Sequence, residues 1–109
     1  MEIARGDLVT IAIAGDYGKP RPALVVQADS FTALDSVTVL RLTSDLHDTP
    51  LLRVTVRPTP ENGLRLVSQI MVDKAATVPR TKIRQKIGKA DTETLRTVNR
   101  ALARFLGLA

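Results

Sequence analysis

The residues of this sequence best suited to chemistry lie in a loop rich in glycine and proline, which reads GDYGKPRPALVV at 15–26. The loop carries Lys19 and Arg21, and Arg21 stands between Pro20 and Pro22. A guanidinium stays charged at neutral pH, and its planar fork can donate two hydrogen bonds to one phosphate. The prolines fix their own φ angles and favour an extended backbone before them. The stretch is therefore a candidate phosphate-binding site, and the simpler alternative is a surface arginine in a turn.

A second polar segment, SDLHD at 44–48, contains the single histidine of the chain, His47. Together with Asp45 and Asp48 it could bind a cation, but a polar loop is the favoured interpretation because short motifs match often by chance. One histidine cannot provide a histidine pair for an acid–base relay. The chain has no cysteine, which excludes thiolate metal sites and cysteine nucleophiles. Neither a Walker loop nor a dinucleotide fingerprint is present, so we expect no metal and no cofactor.

The composition favours a small basic protein with a polyanionic partner. The 109 residues fit one domain spanning 1–109, and the formal net charge is +5. A basic surface attracts nucleic acid. The only aromatic residues are Tyr17, Phe31 and Phe105, too few for a base-stacking platform. Any bound RNA would therefore be held mainly by charge and hydrogen bonds. No secretory leader and no apolar run of about 20 residues is visible, so we expect a cytoplasmic protein without membrane association.

Short β-type runs separated by turn residues precede a single C-terminal helix. The predicted strands span 7–14, 22–28, 37–43, 52–57, 64–72 and 83–87, the fifth being central, with a short helical turn near Pro79. Asp91 is a good N-cap for the helix, and Gly107 is a natural end. Four apolar residues at helical spacing form its inner face: Leu95, Val98, Leu102 and Phe105. We expect a mainly β (α+β) fold, a small, bent antiparallel barrel capped by the helix.

If the protein is an enzyme, one reaction suits this small set of side chains. RNA carries its own nucleophile, the 2′-hydroxyl next to each phosphate, so cleavage to a cyclic phosphate needs neither an activated water nor a metal. The protein must hold the phosphate, stabilise the charge that develops on its oxygens and assist proton transfer. A rigidly held arginine performs the second task well.

Several segments, in this order and spacing, resemble the MazF/PemK toxins of type II toxin–antitoxin systems. The matching stretches are RGDLVTIAI at 5–13, GKPRPALVVQ at 18–27, VLRLTS at 39–44, SQIMVDKAATV at 68–78 and the helix ending FLGL. The resemblance implies an SH3-like barrel of the CcdB/MazF type and a homodimer. It also implies a metal-independent, sequence-specific endoribonuclease that cuts single-stranded RNA.

The resemblance also implies roles for individual residues. Arg21 would act on the scissile phosphate, and Thr43 would assist with its hydroxyl, with Ser44 as the second candidate for that hydroxyl. Some relatives carry an arginine–x–aspartate pair where this chain has LVS at 66–68, so the general base is unassigned. Asp16 and His47 are the candidates for it.

Four further residues are candidate RNA contacts: Lys19, Gln69, Lys74 and Arg80. Gln69 could read a base edge or could hydrogen-bond within the sheet, and the second alternative is favoured. Lys74 and Arg80 could contact phosphates or could simply lie on the surface. The expected protein partner is a cognate acidic antitoxin, whose charge complements this basic chain, and the antitoxin-bound complex is expected to bind DNA.

Two other functions stay open at this level. The first is a gyrase poison of the CcdB type, although such toxins grip their target with a tryptophan-containing tail and this chain ends FLGLA. The second is a non-catalytic barrel that binds nucleic acid or protein. Such a protein would lose affinity gradually and in a salt-dependent way when Arg21 is removed.

Overall fold

The computed structural model describes residues 2–12 and 19–109 as one antiparallel six-stranded sheet and a C-terminal helix. In spatial order the strands run β4-β5-β3-β2-β1-β6. Short 3₁₀ turns precede β3 and β6, at Asp29–Phe31 and Arg80–Lys82. The elements are β1 (Asp7–Ile11), β2 (Arg21–Val25), β3 (Ser36–Thr43), β4 (Arg53–Val56), β5 (Ser68–Pro79), β6 (Ile83–Lys89) and α1 (Thr92–Phe105).

Both faces of the central strands are covered, each by its own apolar cluster. In β2, Leu24 belongs to one cluster, while its neighbours Ala23 and Val25 belong to the other. Side chains alternate between the faces of a strand, so a continuous apolar run fits this arrangement. The strand predicted over 22–28 is present, spans 21–25 and is covered on both faces.

The turn after β4 joins the two edges of the sheet and gives it a barrel-like closure. Gly63 has a φ of +70°, and a Cβ there would lie 2.0 Å from the Ile87 carbonyl oxygen. At Gly88 a Cβ would lie 2.4 Å from the Glu61 carbonyl oxygen. The Lys89 N–H donates to that same oxygen at 2.9 Å. Only glycine permits this approach, so the two glycines bring the end of β4 against β6.

Helix α1 covers the cluster formed with β4 and β5. Asp91 caps it, because its carboxylate accepts a hydrogen bond from Thr94 N at 2.7 Å. This bond lowers the pKa of Asp91 despite a smaller opposing effect of burial. Val98 is fully buried in the cluster, whereas Phe105 is 48% exposed. The helix, its N-cap and its end near Gly107 are confirmed, but Phe105, the last residue of the helix, is not part of the buried face.

The predicted fifth strand was misplaced. Residues 64–67 form no strand, and β5 runs from Ser68 to Pro79, well past Val72. β5 shifts register along β3, where Leu40 faces Ala75 but Leu42 faces Ile70. The extra residues form a bulge at which β5 can bend; β5 pairs with β3 on both sides of this bulge, while only residues 68–71 also pair with β4.

Other strand boundaries agree more closely with the prediction. β3 and β6 lie within two residues of their predicted ends, and the helical turn near Pro79 is present. The strand predicted over 7–14 ends at Ile11 in the described part, and its last two residues lie outside that part. Over the residues described, no helix has the length and apolar character needed to cross a membrane.

Candidate active site

A row of polar residues crosses one end of the sheet from β4 to β2. Thr55 on β4 lies opposite Gln69 on β5, and Gln69 lies opposite Thr43 at the last position of β3. Residues directly opposite each other share a face of the sheet, with Cβ atoms about 5 Å apart. These three side chains therefore stand side by side.

The register of β2 against β3 brings Arg21 to the end of this row. Ala23 lies opposite Arg41, and the same register continued by two residues places Arg21 opposite Thr43. Arg21 begins β2 and is exposed, and Thr43 ends β3 and is half-buried. The two residues that the resemblance assigns to one site, 22 positions apart in sequence, thus lie on neighbouring strands. Arg41 follows Arg21 and Thr43 on the same face.

The loop after β3, residues 44–48, folds back over the Thr43 side chain. The Asp45 N–H donates to Thr43 Oγ1 at 3.0 Å. His47 Nε2 lies 3.2 Å from Asp45 Oδ2, with the two side chains 57% and 83% exposed. The segment predicted as a polar loop therefore forms a surface contact between His47 and Asp45 beside Thr43. Ser44, the second hydroxyl candidate, is exposed in the same loop.

Gln69 is almost buried, with an exposed fraction of 6%. Its Oε1 accepts a hydrogen bond from His47 N at 2.9 Å. Its Nε2 donates to the His47 carbonyl at 3.0 Å and to Thr55 Oγ1 at 3.2 Å. The amide thus binds the 44–48 loop to the sheet through both its donor and its acceptor. The two alternatives for Gln69 were a contact with a base edge of RNA and hydrogen bonding within the sheet. The bonds described here are all to the protein, to Thr55 in the sheet and to His47 in the loop.

A charged pair lies beside the row, between β4 and β5. Arg53 forms an ion pair with Asp73, and the two side chains are 15% and 20% exposed. Burial alone would raise the pKa of Asp73, but the hydrogen bond and positive charge of Arg53 outweigh it. Together with the Asp73 backbone and Lys74 they hold the pKa of Asp73 below its ordinary value. The pair contributes a fixed guanidinium next to the polar row.

The other predicted contacts lie apart from this row or outside the description. Lys19 is exposed just before β2. Lys74 is 58% exposed, with its Nζ 3.8 Å from Asp73 Oδ2. Arg80 lies at the far end of β5, where its guanidinium donates to the carbonyls of Thr32 and Leu34. Asp16 lies outside the described residues.

Sequence reasoning missed the contributions of Thr55 and of the Arg53–Asp73 pair. Side chains alternate along a strand, so Arg53 and Thr55 lie on the face opposite to Val54 and Val56, and both valines are buried. That alternation alone says nothing about which strand lies beside β4. The pairing with β5 turns an outward-facing threonine into a hydrogen-bond partner of Gln69.

This end of the sheet can bind an anionic group. Arg21 supplies a permanent charge and a donor fork, and Thr43 supplies a neighbouring hydroxyl. Arg41 adds a further guanidinium on the same side of the sheet, while the charge of Arg53 is balanced by Asp73. No described trio of histidine or carboxylate side chains is arranged to hold a metal ion.

Comparisons with known proteins identify the class of protein that carries this site. A sequence model of the family described as "PemK-like, MazF-like toxin of type II toxin-antitoxin system" matches residues 4–106. The chain belongs to this family of toxins. It is 50% identical to the probable endoribonuclease MazF of Mycolicibacterium smegmatis over 107 residues, covering 96% of this chain and 97% of that protein.

Solved structures share the fold over nearly the whole chain. A mycobacterial endoribonuclease in complex with its cognate antitoxin superposes with a TM-score of 0.83 at 24% identity, covering 99% of this chain and 98% of that one. MazE–MazF from Deinococcus radiodurans gives 0.81 at 23% identity, covering 100% and 99%. The toxin MazF-mt6 of Mycobacterium tuberculosis gives 0.81 at 21% identity, covering 94% and 98%. These matches confirm the predicted fold class.

Proposed function

We propose that this toxin is a metal-independent endoribonuclease that cleaves single-stranded RNA, with Arg21 and Thr43 as its catalytic residues. The observation that carries the proposal is the register that brings these two residues onto neighbouring strands, at the end of a polar row. Family membership and the 50% identical endoribonuclease support the same activity. The toxin acts as one domain over residues 1–109.

In this mechanism the RNA supplies its own nucleophile. The 2′-hydroxyl gives its proton to a general base and attacks the adjacent phosphorus to form a 2′,3′-cyclic phosphate. The bond between phosphorus and the 5′-oxygen of the next nucleotide breaks, and that oxygen leaves as a hydroxyl with a proton from a general acid. Arg21 binds two phosphate oxygens and stabilises the negative charge that develops on them. Thr43 donates its hydroxyl hydrogen to a phosphate oxygen. Each donor removed from such a site costs about 10²- to 10³-fold in rate.

The proton-transfer group lies among the residues next to this pair. Within the described loop, His47 is the candidate, since an imidazole can accept and donate a proton near neutral pH. Asp45 contacts its Nε2 at 3.2 Å and holds the ring beside Thr43. Asp16 is the other candidate for this proton transfer, and Ser44 is the second candidate for the hydroxyl role of Thr43. His47→Ala would lower the cleavage rate if the ring transfers the proton, and would leave it unchanged if the ring is a bystander.

The partners proposed for this toxin follow from its charge and its relatives. The net charge of +5 favours RNA and an acidic antitoxin. Two of the matching structures are a toxin with its antitoxin, which supports such a partner here. We expect Lys19, Lys74 and the arginines beside the site to bind RNA phosphates, the chain to form a homodimer, and the toxin to act in the cytoplasm.

The decisive experiment compares wild type with Arg21→Ala on RNA, with end mapping of the products. Wild type should cut at a defined sequence in the presence of a chelator and leave a cyclic phosphate. Arg21→Ala should lose cleavage by at least about 10²-fold while its thermal unfolding is unchanged. Equal cleavage by the variant would remove Arg21 from the mechanism. Loss of activity in chelator would reveal a metal, and inhibition of gyrase supercoiling without RNA cleavage would favour the CcdB-type alternative.

A further inference from the structure

Loop 44–48 is held in place without apolar burial. Each of its five residues is exposed. Its internal contact between His47 Nε2 and Asp45 Oδ2 lies at the surface, and surface contacts of this kind contribute at most about 1 kcal/mol. Two side chains of the sheet hold the loop: Thr43 Oγ1 accepts from Asp45 N–H, and the amide of Gln69 donates to the His47 carbonyl and accepts from His47 N–H. Gln69 makes two of these three hydrogen bonds, so the position of the loop depends mainly on this side chain.

The amide of Gln69 is itself held firmly. Its exposed fraction is 6%, and a buried amide without partners would cost about 1–3 kcal/mol. Thr55 Oγ1 accepts from Nε2 on one side, and Thr43 occupies the cross-strand position on the other. An amide carries its donor and its acceptor on two separate atoms, so it can donate to the His47 carbonyl and accept from the His47 N–H at once. Glutamine therefore fits this position, where both groups of the His47 backbone must be matched.

The loop in turn acts on the hydroxyl of Thr43. A threonine hydroxyl has one hydrogen to donate and two lone pairs that accept. The Asp45 N–H occupies one lone pair of Thr43 Oγ1 at 3.0 Å. This bond fixes the side-chain rotamer and turns the hydroxyl hydrogen away from Asp45. If the loop moves, Thr43 loses both its fixed rotamer and its direction.

We propose that Gln69 is a positioning residue for Thr43. Its amide holds the 44–48 loop, and through Asp45 N–H the loop sets the direction in which the Thr43 hydroxyl donates. The inference rests on the proposed ribonuclease mechanism, because the hydroxyl that Gln69 positions is the one assigned to the scissile phosphate. Gln69 itself touches no RNA in this arrangement.

The chain offers a matched control in Gln27. Its Oε1 accepts from Thr38 N at 3.2 Å, and its Nε2 donates to the Phe31 carbonyl at 3.1 Å. Gln27 thus uses its amide in the same two-way manner at the opposite end of β3. Gln69→Leu and Gln27→Leu remove equivalent hydrogen bonds at similar volume.

Single-turnover cleavage of a mapped RNA site is measured for both variants, together with affinity for the same RNA carrying a 2′-deoxy sugar at the scissile position. Gln69→Leu should lower the cleavage rate by about 10- to 100-fold. Its affinity for the uncleavable RNA should stay within about threefold, because only positioning is lost. Gln27→Leu should cleave at the wild-type rate. Equal rates for the two variants, with Arg21→Ala inactive, would overturn the inference and leave the proposed function standing.

Two further readouts separate positioning from a general loss of structure. In a Thr43→Val background, Gln69→Leu should change the rate by less than about twofold, since its effect acts through the absent hydroxyl. Without RNA, hydrogen exchange at the amides of Asp45 and His47 should accelerate in Gln69→Leu and not in Gln27→Leu. Additive losses in the double variant, or unchanged exchange, would count against the inference. Full activity of Thr43→Val would instead defeat the assigned role of Thr43.

Gln69→Glu provides a second variant that keeps the size and polarity of the side chain. An ionised carboxylate accepts from His47 N–H but cannot donate to the His47 carbonyl. Protonation restores a donor, so the rate of Gln69→Glu relative to wild type should rise as the pH is lowered. A ratio that is independent of pH would contradict the need for a donor at this position.

Discussion

At each end of β3 one glutamine side chain binds the neighbouring loop, but the two loops serve different purposes. At its start, Gln27 fixes the loop that contains the 3₁₀ turn, and at its end, Gln69 fixes loop 44–48. The ends lie about 23 Å apart, at roughly 3.3 Å per residue. Only the second loop lies beside Thr43 and Arg21. The comparison shows that the functional role of such a glutamine depends on which residues its loop contacts, and not on the geometry of its own hydrogen bonds.

The two loops also differ in how many side chains hold them. The loop before β3 is held by Gln27 and, in addition, by Arg80, which donates to the Thr32 carbonyl at 2.7 Å. Asp29 in the same loop accepts from Arg5 N at 2.7 Å. Loop 44–48 depends mainly on Gln69, so it can move more readily when one side chain is lost. A loop that is held by few side-chain contacts is suited to moving when a substrate binds.

The largest expected effect separates the two threonines of β3. Thr43→Val should lower cleavage by about 10²-fold, because it removes a donor to the phosphate. Thr38→Val removes a hydroxyl that pairs with Thr77 Oγ1 at 3.0 Å, far from the row, and should leave cleavage unchanged. Single-turnover rates of the two variants test this difference. Thr43→Ser should recover most of the activity, and a failure to do so would argue against the hydroxyl as the acting group.

The second largest effect concerns the ion pair of Arg53 and Asp73, which lies beside the polar row between β4 and β5. Asp73→Asn should cost about 2 kcal/mol of stability at pH 7, because it leaves the Arg53 charge largely buried without its counter-ion. The pKa of Asp73 is lower in the folded protein than its ordinary value of 3.8. The pair therefore stabilises the fold fully above that value, and its contribution is lost as the pH falls through the lowered pKa.

Urea unfolding at pH 7 and pH 3 measures this contribution. The difference in the free energy of unfolding between wild type and Asp73→Asn should be smaller at pH 3 than at pH 7. A difference of the same size at both pH values would exclude the lowered pKa as its source. Asp29→Asn is the control at the other end of β3, since an asparagine oxygen still accepts from Arg5 N–H.

The smallest effect is expected at the loop before β3, which is held by both Gln27 and Arg80. Gln27→Leu and Arg80→Ala should each cost about 1 kcal/mol of stability, the usual net value of lost hydrogen bonds. Because both side chains hold the same loop, their combined cost should differ from the sum of the single costs. Chemical denaturation of the two single variants and the double variant measures the difference. Strict additivity would show that the two side chains act independently.

Much of the local structure could be predicted from the sequence. The N-cap at Asp91, the turn near Pro79 and the apolar alternation around Val54 depend on neighbours in the chain, and all three are present. The boundaries of β5 could not be predicted in this way. Its bulge depends on the register shift against β3 and on the pairing of residues 68–71 with β4, and no pattern within the strand encodes where these partners lie.

For the candidate site, the sequence by itself determined which groups are available. It supplied a proline-flanked arginine, a hydroxyl at the end of a strand and a polar loop after it, since these are properties of residue types and their order. Tertiary structure alone decided that Arg21 and Thr43 are neighbours and that the Gln69 amide faces His47. The reason is that strand register and cross-strand contacts join residues distant in the chain, and only the packed sheet fixes them.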